Sequence, residues 1–146
     1  MQILCLDVGD SRIGVAFADR QTRIAHPLET VERERNCYNI LISLIKSRSI
    51  SSIVIGLPLE KDGSEGLQAK KTRRFAEKLT GAIASSEIAI KPIGIHFWDE
   101  RFSTAQSERT LIGSKLKNKE RSQALDRISA SLILQSYLDS GKEITA

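Results

Sequence analysis

Residues 3–19 read ILCLDVGDSRIGVAFAD, two apolar runs joined by a glycine turn, and this stretch decides the fold. Ile3 to Val8 is apolar at nearly every position instead of alternating with polar residues, the pattern of a strand buried on both faces. Gly9-Asp10-Ser11 supplies the turn, and Arg12 to Ala18 the returning strand of a hairpin. Gly14 within it marks either a bulge or a point where a ligand or another backbone comes close. Side chains alternate along a strand, so Ile3, Cys5 and Asp7 share one face and a lone acid ends an apolar row. An ionised carboxylate there is costly to desolvate unless donors or cations meet it. Two readings account for it: Asp7 accepts hydrogen bonds from the turn amides, or it is a metal ligand at the edge of a sheet. Acids elsewhere in the chain bear on the choice.

A chain of 146 residues suits one domain with a real core, expected over residues 1–140 with a short polar tail at 141–146. Its 40% hydrophobic and 27% charged shares are ordinary globular values. The net charge of +4 favours a polyanionic partner. Cys5 and Cys37 lack the Cys or His companions of a zinc site and sit among apolar residues, so they read as reduced, buried thiols of a cytoplasmic protein. The first strand begins at once, without a charged leader and long apolar core, and no apolar run has the length of a membrane span. Neither a secretion signal nor a membrane partner is expected.

Downstream, His26 to Val31 predicts a third strand, with Pro27 marking its start or an exposed edge. Cys37, Ile40, Leu41, Leu44 and Ile45 recur at helical spacing and predict an amphipathic helix within Arg33 to Arg48. SSIVIG, Ser51 to Gly56, is a β-branched strand, and the strand, helix, strand order implies a parallel crossover. Leu57 to Leu67 is a loop by composition, at the strand end where ligands gather in open α/β sheets. A second helix from Gln68 to about Ala84 turns Phe75, Ala76, Leu79 and Ile83 inward. Lys70, Lys71, Arg73 and Arg74 crowd its first turns, either as a solvated face or as phosphate contacts beside the loop. Pro92 to Trp98 predicts a strand running into Asp99-Glu100-Arg101, then a helix capped by Ser103 or Thr104 that carries Glu108 and Arg109. Gly113 to Arg121 reads as a mobile, lysine-rich loop. The last helix, Glu120 to Asp139, places Leu125, Ile128, Leu132 and Leu138 at core spacing.

Three acids stand where an apolar element meets its end: Asp7, Glu100 and Asp126. Were the first and last long strands adjacent or one apart, Asp7 and Glu100 would share a sheet end, with Asp126 projecting from a helix packed across it. Oxygen-only ligands favour Mg²⁺ or Mn²⁺ over zinc. Two such ions about 4 Å apart activate water and neutralise the leaving oxygen of a phosphodiester. The plainer alternatives are that Glu100 pairs with Arg101 or Arg109, and that Asp126 only complements a helix dipole, worth about 0.3 to 1 kcal/mol.

The runs LDVGDSRIGVAFAD, GLPLEKDGSEGLQAKKTRRFAEKL, WDERFSTAQSER and LDRISASLILQSYL closely resemble, in order, the successive motifs of the YqgF family, also called RuvX or Holliday-junction-resolvase-like proteins. The likeness spans nearly the whole chain. It implies a ribonuclease H-like α/β fold, a mixed five-stranded sheet flanked by helices on both faces, and a nuclease that matures the 5′ end of pre-16S ribosomal RNA. By the resemblance, Asp7 matches the acid of the first-strand motif, Glu100 that of the DER motif and Asp126 that of the final-helix motif. Ser103 and Ser107 stand where threonine and alanine are more usual, and Ser129 where alanine is; none of these departures removes a carboxylate.

The leading functional expectation is metal-dependent hydrolysis of RNA, with Asp7, Glu100 and Asp126 holding Mg²⁺ or Mn²⁺ and Arg12, Arg101, Lys70, Lys71, Arg73 and Arg74 positioning the backbone. Aromatics are only 5% of residues, so phosphate and shape, not base stacking, carry recognition, and Trp98 reads as core. Carboxylate-held metals act on the phosphate and ignore the sugar, which keeps branched DNA as an alternative substrate. A non-catalytic module in transcription or ribosome assembly is a second alternative. An actin-type ATPase shares the Asp-x-Gly hairpin, but it needs two lobes and a second glycine-rich turn that this chain lacks.

Overall fold

In a computed structural model, described for residues 1–86, 92–102 and 119–141, the hairpin forms the centre of a five-stranded sheet. The strands are β1 (Gln2–Val8), β2 (Arg12–Asp19), β3 (Ala25–Glu32), β4 (Ile50–Leu57) and β5 (Gly94–Asp99), in the order β3-β2-β1-β4-β5. β1 pairs antiparallel with β2 and parallel with β4, β2 antiparallel with β3, and β4 parallel with β5, so the sheet is mixed. The crossover from β3 to β4 passes through helix α1 (Cys37–Ser47) and sets β4 beside β1. β5 begins at Gly94, two residues past Pro92, whose missing N–H cannot join a ladder. Pro27 lies on the edge strand β3.

Helices cover both faces. Leu4, Leu6, Ile13, Val15, Ile53 and Ile55 pack against α1 and α2 (Leu67–Ser86). Ile3, Cys5, Ala16, Ala18 and Val54 pack against α3 (Lys119–Asp139). α1 starts four residues later than its charged lead-in suggests, because the Arg33 N–H donates to the Ser11 carbonyl at 2.9 Å and ties that segment to the hairpin turn. The last helix begins at Lys119, one residue before its expected start, so Glu120 and Arg121, which the loop and helix expectations shared, belong to α3, where Glu120 suits the positive helix N-terminus. Residues 113–118 of that expected loop and the helix expected after Ser103 lie outside the described residues, as does most of the tail. Among the described residues no helix is long and apolar enough to cross a membrane.

The buried stripe of α3 differs from the one its large apolar residues suggest. Ile128 is 39% exposed, whereas Leu125, Ser129, Ala130, Ile133, Leu134, Tyr137 and Leu138 are buried. Small residues at 129 and 130 are buried, and Ala130 shares a core cluster with the small strand residues Ala16 and Ala18. Polar ties fix the helix on either side: Trp98 Nε1 donates to Ser136 Oγ at 3.0 Å, and the Ala25 N–H to Gln135 Oε1 at 2.9 Å.

The Ser129 hydroxyl is buried with no hydrogen-bond partner among the described residues. An unsatisfied buried hydroxyl costs about 1 to 3 kcal/mol, and alanine is the better helix former. Ser129→Ala is therefore expected to stabilise the chain by about 1 kcal/mol. A urea titration reads this as a higher midpoint at unchanged slope; a lower midpoint would mean that the hydroxyl has a partner.

Candidate active site

Asp7 closes the β1 row that faces α3, directly after Cys5, and is only 6% exposed. Its neighbour across the β1–β2 ladder is Gly14. Here the helix backbone descends onto the sheet: a Cβ on Gly14 would lie 2.0 Å from the carbonyl oxygen of Asp126 and 3.1 Å from the Arg127 nitrogen. Of the two readings of Gly14, close backbone approach is the one realised. The nearest ladder irregularity falls one step later, between Val15 and Ala16 in the pairing with β3. A missing side chain on β2 thus sets residue 126 of α3 over the strand pair that carries Asp7.

Glu100 opens a single 3₁₀ turn, Glu100–Phe102, directly after β5. β4 separates β5 from β1, and at that point it offers Gly56. A Cβ on Gly56 would come within 2.6 Å of Glu100 Oε1 and 2.9 Å of Ile133 Cδ1, so the Glu100 side chain lies across β4 on the α3 face. Cys5 registers both carboxylates. Its thiol is pushed well above the ordinary cysteine value, first by burial, then by the charge of Asp7, then by that of Glu100. Asp7 and Glu100 thus both lie within electrostatic reach of the same buried position on β1.

Asp126 turns toward the hairpin. Arg12 Nε donates to its Oδ2 at 2.7 Å, with both side chains largely shielded, at 28% and 15% exposure. The pair sits at a cavity of about 340 Å³ lined by Gly9 to Arg12, Ser122, Leu125 and Asp126. Among the described residues no three Asp, Glu, His or Cys side chains are drawn together tightly enough to hold a metal ion in this conformation. Like charges repel in a partly desolvated site, and Arg12 supplies the cation that Asp126 meets here. The donor set is nevertheless suited to a hard divalent ion: carboxylate oxygens only, on one face and at one end of the sheet.

The expected backbone-binding cations divide into two groups. Arg12 is held by Asp126, Arg73 by both oxygens of Glu65, and Arg101 by Asp99 through Nη2 at 2.8 Å. Arg73 also lies over the Phe97 ring, 4.7 Å from its centroid. Arg101 donates from Nη1 to the Lys61 carbonyl at 3.2 Å, so it pins the loop after β4 to the end of β5. Its hydrogen bonds hold the Asp99 carboxyl below the usual carboxylate range. Arg101 thus pairs with Asp99, while Arg109, the other partner that the plainer reading offered Glu100, lies outside the described residues. Lys70, Lys71 and Arg74 are exposed. Sequence reasoning missed Gly56, the cradle for Glu100; its signal was a glycine ending an apolar strand just before a proline loop.

A mixed sheet led by an antiparallel hairpin, with carboxylates at one end and helices on both faces, defines the resolvase-type, ribonuclease H-like class. The same fold is seen in Thermus thermophilus RuvC solved with a Holliday junction substrate, at a TM-score of 0.57 and 10% identity, covering 97% of this chain and 95% of that one. The chain belongs to the family RuvX: Holliday junction resolvase, whose profile matches residues 1–140. A relative in Caldanaerobacter subterraneus subsp. tengcongensis, named "Putative pre-16S rRNA nuclease", is 39% identical over 145 residues, which is 97% of this chain and 99% of the relative. One of the same name in Ruegeria pomeroyi is 40% identical over 136 residues, 92% of this chain and 83% of the relative.

Proposed function

We propose that this protein hydrolyses phosphodiester bonds in RNA, at the 5′ end of precursor 16S ribosomal RNA, with Asp7, Glu100 and Asp126 holding Mg²⁺ or Mn²⁺. The observation that carries this reading is the shared face of Asp7 and Glu100: Asp7 is nearly buried at the end of β1, and Glu100, from the turn after β5, lies over Gly56 of the adjacent β4 on the same α3 side. The relatives' name supplies the substrate. A bound divalent ion contributes a nucleophilic water at neutral pH and charge neutralisation at the phosphate. The chain's own residues do the rest. Asp7 presents its oxygens from the end of β1 and Glu100 from the turn directly after β5, and the Gly14 contact fixes the height of Asp126 above the sheet. Arg12 orients the Asp126 carboxylate from the hairpin turn. Exposed Lys70, Lys71 and Arg74 meet backbone phosphates, while Arg73 and Arg101 keep α2 and its entry loop in place.

Incubation of the chain with precursor 16S RNA and Mn²⁺, followed by mapping of product ends, tests the proposal. Discrete products with 5′-phosphate ends at the mature terminus are expected. An intact precursor at all divalent concentrations would overturn it. A four-way DNA junction at matched salt is expected to compete poorly; preferential cutting of that junction would transfer the activity to branched DNA.

A further inference from the structure

On the far side of the hairpin turn from α3, a second cavity of about 210 Å³ opens between α1 and α2. Four cations line it, Arg33, Lys71, Arg74 and Lys78, against one carboxylate, Asp10. That carboxylate is a weak counter-charge: Lys71 Nζ stands 3.6 Å from Asp10 Oδ1, and both side chains are about half or more exposed, at 47% and 67%. The walls are rigid and aromatic. Tyr38 stacks on buried Phe75 with centroids 5.3 Å apart, and the Arg33 guanidinium lies 5.1 Å from the Phe75 centroid while donating to the Gly9 carbonyl at 2.9 Å. The hairpin backbone thereby aims Arg33 at the cavity. A preorganised, net-cationic, partly aromatic hollow suits a phosphate with its sugar or base against the ring.

Its position identifies the source of that phosphate. Asp10 lines both this cavity and the larger one beside Arg12 and Asp126, so the hairpin turn is the shared rim. We propose that the α1–α2 cavity is a second anchoring site for the RNA backbone, and that a substrate crosses the Gly9–Ser11 turn from the carboxylate side to the Arg33, Lys71, Arg74, Lys78 side. This rests on the RNA-cleaving reading above and extends it to a substrate large enough to straddle the turn. Contacts to phosphates position a nucleic acid without reading its sequence, so the site selects for extent and shape.

Arg74 and Lys78 are exposed, one helical turn apart on α2, and glutamine at both keeps the helix propensity. The test compares Arg74→Gln/Lys78→Gln with a charge-matched control, Arg20→Gln/Lys46→Gln, at the opposite end of the sheet. The probes are a fluorescently labelled RNA hairpin with a single-stranded 5′ leader, titrated with divalent ions chelated, and a short single-stranded RNA too small to cross the turn. Loss of two phosphate contacts is expected to weaken hairpin binding at least tenfold at about 0.1 M salt and to flatten its log–log salt slope by roughly 1.4 to 1.8. The control pair should stay within about twofold of the parent, and the short RNA, which can bind on either side of the turn, should lose less affinity than the hairpin that needs both, as phosphate contacts contribute individually. Equal losses in both pairs, or an unchanged hairpin slope, would overturn the proposal. Wild-type protein that cleaves no RNA, with the selective loss still present, would remove the nuclease reading and leave the anchoring site standing.

Discussion

Asp7→Asn is expected to lower cleavage of precursor ribosomal RNA by about a thousandfold or more, roughly 4 kcal/mol of barrier, while RNA affinity stays within about twofold. Asparagine matches the shape of aspartate and keeps one oxygen, so it spares the β1–α3 packing, but it carries no charge with which to hold a divalent cation. The position is nearly closed to solvent, and the neighbouring Cys5 thiol lies in the combined field of Asp7 and Glu100. Burying two negative groups over one strand opposes folding. Removing one should therefore leave the unfolding midpoint in chelator unchanged or raised. A site that trades stability for chemistry shows this pattern. Thermal melts and single-turnover cleavage on the same preparations decide the matter. Full activity would take Asp7 out of the mechanism, whereas lost activity with a sharply lowered midpoint would make it a structural cap.

The sheet was readable because its signals are dense. The unbroken apolar run of β1, the Gly9–Ser11 turn and the return through Arg12 to Ala18 dictate a central hairpin, and alternation alone puts Asp7 in register with Ile3 and Cys5. The orientation of α3 was less readable. Periodicity counts large apolar residues, and it chose Ile128, yet the face that docks is set by what is small: Gly14 beneath the helix, Ser129 and Ala130 upon it. Close approach leaves no hydrophobic trace. The basic cluster on α2 shows a second limit. Lys70, Lys71, Arg73 and Arg74 look equivalent in sequence, but Glu65 claims Arg73, while Arg33 joins Lys71 and Arg74 from another helix's lead-in. Charge in a string becomes a surface only once its counter-ions are placed. Glu100 was visible as an acid past a strand; its passage across β4 depends on Gly56, a contact between residues 44 positions apart in sequence.

Gly14→Ala is expected to harm both stability and activity, and the comparison with Gly81→Ala isolates the reason. A methyl group at 14 would sit 2.0 Å from the Asp126 carbonyl oxygen and 2.5 Å from its carbon. Those are backbone atoms of a helix whose stripe from Leu125 to Leu138 is packed into the sheet, so no rotamer change relieves the clash. Either α3 lifts along its first turns or the β1–β2 ladder bends; overpacking of this kind costs about 3 kcal/mol or more. For a chain of this size that is a fall of roughly 10 °C in the unfolding midpoint. Gly81, in the C-terminal third of α2, has nothing within 4 Å of its would-be Cβ, and alanine there should raise stability by about 0.5 to 1 kcal/mol. The functional consequence is separable from the thermal one. At a temperature where Gly14→Ala remains folded by circular dichroism, Asp126 and Arg12 no longer meet the Asp7 end of β1 at the parent height, and a displacement of about 1 Å at reacting groups costs on the order of a hundredfold in rate. Binding through the α1–α2 cavity lies on the other face of the sheet and should persist. Parent-like cleavage by well-folded Gly14→Ala would show that the approach of α3 to the hairpin has no part in assembling the carboxylates.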